Sequence, residues 1–245
     1  RTVLDDMARC RGIAHSAYTK TTLVEAILET PKLPIAPTLS KGQLQFVDNF
    51  FEKIARYRTL SPIPLHAGPG TGKTTVLAYT GLQFARIHMA MGGVLFLTYT
   101  RAGVSAIVDR LGREMRRHQL LHGTAIPCPT INSGCKNIQL PGIHVCSFHQ
   151  YACRRLNREA NEELGSSTYD LALARGIQKG PQPWEQWGLV IIDEAQDIIS
   201  KFATLVGQVT SRGRYTVIAG DPRQELYTGA SYFSRLCSLC PQDVQ

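Results

Sequence analysis

No stretch of this 245-residue chain is apolar for long enough to cross a membrane. Nor does it open on the basic, apolar and small-residue succession of a secretory signal. Arg1 stands first, which implies a fragment or a processed chain, with room for a removed targeting segment. The seven cysteines are scattered and odd in number, which suits reduced side chains in an intracellular protein, in a bacterial cytoplasm or a nucleus alike. Cys237 and Cys240 have metal-ligand spacing but no second pair nearby, and Cys128, Cys135, His144 and Cys146 are irregularly spaced, so zinc has no regular ligand pattern here. No internal repeat is evident, and no guanine-reading N-K-x-D occurs, which argues against a GTPase. Acids are the minority, 19 against 27 Lys and Arg; a net charge of +8 and a pI of about 9.2 suit a polyanionic partner. The basic clusters at Arg110, Arg113, Arg116, Arg117 and at Arg154, Arg155, Arg158 read as helix faces, which are most simply solvated.

What the chain does have is a hydrophobic fraction of 43%, ordinary for a globular core, and two phosphate-chemistry signatures. After the apolar run 63–67, Gly68-Pro69-Gly70-Thr71-Gly72-Lys73-Thr74-Thr75 reads as a G-x-x-x-x-G-K-T phosphate-binding loop between a strand and a helix over 73–88. Its glycines let backbone N–H groups turn inward on phosphate oxygens, and the helix dipole favours the same anion. Lys73 is within reach of the β- and γ-phosphates, and the Thr74 hydroxyl is a Mg²⁺ ligand. The ligand is therefore a nucleotide with Mg²⁺, and ATP is the expected one.

The run 189–192 reads as a buried parallel strand and leads into Asp193-Glu194-Ala195-Gln196-Asp197. Acids at the C-terminal end of such a strand lie at the crevice where open α/β sheets bind ligands. Asp193 is the candidate Mg²⁺ holder, through water, and Glu194 the candidate group that polarises the attacking water. Gln43 is the candidate adenine reader, because a Gln amide can pair with the N6 and N7 edge. Gln224, after the short strand 215–219, is placed to touch the γ-phosphate or the water.

These segments, in this order, resemble the motifs of UvrD/Rep-type superfamily 1 helicases. Leu39-Ser40-Lys41-Gly42-Gln43 resembles their Q motif, and Leu97-Thr98-Tyr99-Thr100-Arg101-Ala102 resembles motif Ia. Ser147-Phe148-His149-Gln150 resembles the T-F-H-S segment, Asp193 to Asp197 resembles motif II, and Gly220-Asp221-Pro222-Arg223-Gln224-Glu225-Leu226-Tyr227 resembles motif III. The likeness spans about residues 38–230. It implies that the loops carrying Tyr99, Thr100, Arg101, Phe148 and His149 contact single-stranded nucleic acid, DNA in preference to RNA. Tyr99 and Phe148 would offer stacking faces, and the other three would meet phosphates. The resemblance also implies a second RecA-like lobe whose arginines complete the site. Its motifs IV to VI do not occur in these 245 residues, so weak nucleotide binding, slow hydrolysis and no unwinding by this chain alone are expected. Motif III here lacks the family's aromatic–arginine pair after Tyr227; Tyr232 and Phe233 are the nearest substitutes.

Strands alternating with helices from about residue 60 predict an α/β, RecA-like P-loop NTPase fold, a parallel sheet with helices on both faces. Residues 118–143 and 162–186 read as irregular, the second being where UvrD-type enzymes insert an accessory helical domain, small or missing here. Residues 1–30 show two short helical patterns that resemble a SAP-like DNA-binding module; an amphipathic helix pair docked on the main domain is the alternative. Residues 31–38, rich in proline, read as a linker, and 39–245 as the first motor lobe. Two functions remain open at this point. One is an ATP-driven DNA helicase or translocase lobe; the other is a nucleotide-gated nucleic-acid-binding or scaffold module that unwinds nothing.

Overall fold

The runs 94–97 and 189–192 carry no polar residue on either side of the pleat, so strands built from them must be covered on both faces. The computed structural model describes residues 39–57, 62–122, 129–134, 142–156, 166–198, 200–221 and 223. Among these, six strands form one all-parallel sheet: β1 (Ile63–His66), β2 (Gly93–Thr98), β3 (Ile131–Ser133), β4 (Ile143–Ser147), β5 (Trp187–Ile192) and β6 (Gly213–Gly220). Their order across the sheet is β1-β6-β5-β2-β4-β3. The helices are α1 (Lys41–Arg56), α2 (Lys73–Ile87), α3 (Arg101–His122), α4 (Phe148–Arg155), α5 (Ser166–Lys179) and α6 (Ser200–Thr210).

Strand alternation sorts the core into two layers. Val94, Phe96, Leu189, Ile191 and Val217 point to one face, where α1, α2 and α3 cover them. Leu95, Leu97, Val190, Ile192 and Ile218 point to the other, under α4 and α6 with Leu173 of α5. This is the RecA-like α/β arrangement expected from the sequence. No helix among the described residues is long and apolar enough to cross a membrane.

Two elements depart from the expectation of irregular structure. β3 lies within 118–143 and pairs in parallel with β4 through Ile131 and Ile143. α5 lies within 162–186 and packs its Leu173 into the second layer. Three residues of strand give little periodic signal, whereas α5 carries Leu171, Ala172, Leu173 and Ile177, apolar positions that the irregular reading passed over.

α1 starts with a capping box: Ser40 Oγ accepts from the Gln43 N–H, and Gln43 Oε1 accepts from the Ser40 N–H. Phe46, Phe50, Phe51 and Ile54 bury its inner face, and the Tyr215 hydroxyl of β6 donates to the Tyr57 carbonyl at its end, 3.0 Å away. α1 is thereby fixed against β6, with its N-terminus at the phosphate-binding loop.

The helix-face reading of Arg155 is corrected. Its side chain is fully buried and paired with Glu185 through two contacts of 2.8 Å, Nε to Oε1 and Nη2 to Oε2. Nη1 donates to Gln208 Oε1 and the Gly176 carbonyl, while the Tyr151 hydroxyl donates to Glu185 Oε2 at 2.7 Å. Burial first, and then the Glu185 charge, push the Tyr151 hydroxyl well above its usual pKa. The ion pair ties α4, α5, α6 and the start of β5 together. Of the expected cysteine sites, Cys146 is a buried free thiol of β4; Cys128, Cys135, Cys237 and Cys240 lie outside the described residues, as do residues 1–38.

Candidate functional site

At the C-terminal end of β1 the chain turns through Gly70 (φ 70°) and Gly72 (φ 84°), left-handed conformations that favour glycine. Counted strictly, Ala67 holds the first position of the G-x-x-x-x-G-K-T pattern, where the pattern has glycine, and Gly68 stands one residue later. The Thr71 hydroxyl donates to the Gly68 carbonyl at 2.7 Å and closes the turn. Pro69 is exposed at the tip, and Thr75 is buried in the first turn of α2, its N–H donating to the Gly72 carbonyl. Gly72 is the N-cap of α2, and no side chain caps that N-terminus. Its first-turn N–H groups and dipole therefore favour an anion.

Lys73 is buried beneath this loop, and its Nζ donates to the Ala67 carbonyl at 3.1 Å. Gln43 reaches the same loop, its Nε2 donating to the Thr71 carbonyl at 2.6 Å. A Cβ at Gly72 would stand 2.7 Å from that Nε2, so glycine is needed for the clasp as well as for the turn. Gln43 is thus a loop holder in this arrangement; one N–H and one oxygen lone pair of its amide remain for a base.

The acidic side of the site comes from the end of β5. The Thr74 hydroxyl donates to Asp193 Oδ2 at 3.0 Å, so the two residues expected to hold Mg²⁺ meet from opposite parts of the chain. Asp193 is nearly fully buried; burial, and then the neighbouring Glu194 charge, raise its pKa from 3.8 to about 6. A hard cation would offset that penalty, and the hydroxyl and carboxylate oxygens are the donors Mg²⁺ prefers. The residues present therefore fit the ion.

Glu194 is the one non-glycine among the described residues with positive φ, 56°. That strain is of the kind that concentrates at functional sites. Its N–H donates to Asp193 Oδ1 at 3.0 Å, and its Oε2 accepts from Gln196 Nε2 at 2.6 Å. Gln196 Oε1 in turn accepts from the Asp221 N–H, where the chain leaves β6. Asp197 is raised in pKa by burial and then by the Glu194 charge. Gln224 lies outside the described residues.

The five residues expected to meet nucleic acid divide sharply. Thr100 and Arg101 are exposed at the start of α3, where Thr100 Oγ1 accepts from the Gly103 N–H. Tyr99 and His149 are half-buried, their rings edge-on to Phe202 of α6 with centroids 5.3 Å away. Phe148 is corrected: its ring is fully buried, also 5.3 Å from Phe202, and presents no face to a base. It heads α4 directly after the Ser147 cap, which turns its side chain into the second layer.

Sequence reading missed Gln196 and Phe202. The first was visible only as an amide inside the acidic motif. The second was an isolated aromatic whose place under Tyr99 and His149 depends on the fold.

A family model described as an AAA domain matches residues 52–230, most of the chain. No curated protein matches. The chain belongs to this AAA domain family, and its loop and acid pair make it a nucleotide-binding P-loop NTPase.

Proposed function

We propose that this AAA-domain chain is the ATP-binding motor lobe of a DNA helicase or translocase, with 39–245 as the lobe and a UvrD/Rep-like mechanism. The observation that supports it most is the 3.0 Å contact between Thr74 and Asp193, which brings the phosphate-binding loop and the acidic motif into one Mg²⁺-nucleotide site.

On this reading the loop N–H groups and the start of α2 hold the phosphates, and Lys73 leaves the Ala67 carbonyl for the β- and γ-oxygens. Thr74 and Asp193 would hold Mg²⁺, which would supply positive charge for the phosphate oxygens. Glu194 orients and polarises the attacking water, and Gln224 reports the state of the γ-phosphate. Gln43 keeps the loop in register with α1 and offers its remaining amide valences to adenine.

Single-stranded DNA crosses the loops after β2 and β4, meeting Thr100, Arg101, Tyr99 and His149. A second RecA-like lobe, carrying the arginines that the resemblance assigns to it, closes over the nucleotide; such arginines contribute about 10³–10⁵ in rate where tested. The altered segment after Tyr227 favours the second reading, a nucleotide-gated binding module without unwinding.

ATP turnover measured with and without single-stranded DNA, with Lys73→Ala as blank, tests the proposal. Turnover above the blank that rises with DNA supports a motor. Nucleotide and DNA binding without turnover favours the binding module.

A further inference from the structure

The Gln196 amide bridges two elements of the site. Its Nε2 donates to Glu194 Oε2 at 2.6 Å, and its Oε1 accepts from the Asp221 N–H at 3.1 Å. A backbone N–H can only donate, which fixes the amide oxygen toward Asp221 and leaves the nitrogen for Glu194. Gln196 is 5% exposed, so both bonds are shielded from competing water. Glu194 is held at both ends: its strained backbone by Asp193 Oδ1, its carboxylate by Gln196. Without the amide, the three side-chain torsions of a glutamate would spread over several rotamers.

We propose that Gln196 is a positioning residue for Glu194, aiming its carboxylate and tying that aim to the chain leaving β6. The inference rests on the reading of Glu194 as the water-activating group in ATP hydrolysis. The tie has a physical route to the phosphates. Gly220, just before Asp221, accepts from the Ala67 N–H at 3.3 Å, and the Ala67 carbonyl is the group that Lys73 holds. A nucleotide that draws Lys73 away thus loosens a partner of the backbone on which the Gln196 bridge is anchored.

Gln196→Met keeps the side-chain length and removes both hydrogen bonds. The expected result is kcat lowered roughly 10- to 100-fold, the scale of a misaimed catalytic group. KM for Mg²⁺·ATP and the affinity for a fluorescent ADP analogue should stay within about twofold. A structural defect would not show that split. In a Glu194→Gln background, the same substitution should change residual turnover by less than about twofold, because the two residues act as one unit.

Should Gln196→Met fail to fold, Gln196→Glu keeps the shape and places a second carboxylate against Glu194; it should bind the ADP analogue and lose at least as much kcat. Parent-like kcat in either variant, or losses that multiply with Glu194→Gln, would overturn the inference. A parent no faster than Lys73→Ala would remove the ATPase reading and this inference together. An active parent indifferent to Gln196 would remove this inference alone.

Discussion

Two clusters of buried polar side chains are built in opposite ways. Around Arg155, the charges match one to one: Glu185 accepts from Arg155, Tyr151 and the Gln182 N–H, and Arg155 also donates to Gln208 and Gly176. Around Asp193, carboxylates crowd one another. Asp193 has its pKa raised to about 6, and Asp197 Oδ1 and Asp221 Oδ2 are buried without a hydrogen-bond partner among the described residues. Glu194 sits on a strained backbone beside them. The first cluster is complete within the chain and acts as a brace between α4, α5, α6 and β5. The second has Lys73 as the cation acting on Asp193, too little for the carboxylates gathered there, and a bound Mg²⁺ ion would supply the missing positive charge. Burial of charge alone does not mark a functional site; burial left unbalanced does.

The comparison can be broken most directly by substitutions with opposite signatures. Glu194→Gln should lower ATP turnover by roughly 10²–10⁴, the usual worth of a positioned acid–base group, with the denaturation midpoint hardly changed. Glu185→Ala should do the reverse. Leaving Arg155 buried and unpaired should cost about 3–5 kcal/mol in a urea titration, while nucleotide affinity at temperatures where the protein stays folded is little altered. Replacing the pair together, Arg155→Met with Glu185→Leu, should recover most of that loss. If Glu185→Ala instead left stability intact and abolished nucleotide binding, the brace reading would fail.

Asp193 sharpens the contrast through pH. Its folded pKa is raised, so the ligand-free fold binds that proton more tightly than the unfolded chain does. Its contribution is fully present below the unfolded value of 3.8 and is lost as pH rises to about 6. Asp193→Asn should therefore make the ligand-free protein more stable at pH 7, by up to roughly 3 kcal/mol, with the gain vanishing near about pH 4. Denaturant titrations across that range would check it; a destabilised Asp193→Asn at neutral pH would contradict the charge-deficit account. The smallest effect belongs to Gln43, which serves the α1 cap and the loop at once. Gln43→Ala should cost about 1 kcal/mol of stability and also weaken nucleotide binding, measured by titration of the ADP analogue.

What was legible in the sequence was local. Gly70, Gly72, Lys73 and Thr74 announce their loop because the turn and the phosphate dictate residue types at fixed spacing. The acidic motif is readable because an apolar run ends on it. What escaped depended on partners distant in sequence. Phe148 and Arg155 look like surface residues along the chain, yet the Ser147 cap and Glu185 draw them inside. β3 is too short to signal itself and exists through its pairing with β4. Along the chain Gln43 has the amide of a base reader, while its contact with the Thr71 carbonyl requires α1 docked on the loop.

The central claim, that the acidic cluster is completed by a Mg²⁺-nucleotide on the loop, is tested most directly by thermal unfolding with and without Mg²⁺·ADP. At a ligand concentration about 100 times Kd the gain should be near 2.7 kcal/mol, seen as a higher Tm, and it should be absent in Lys73→Ala. A Tm unmoved by Mg²⁺·ADP at saturating concentration, or raised equally in Lys73→Ala, would contradict it.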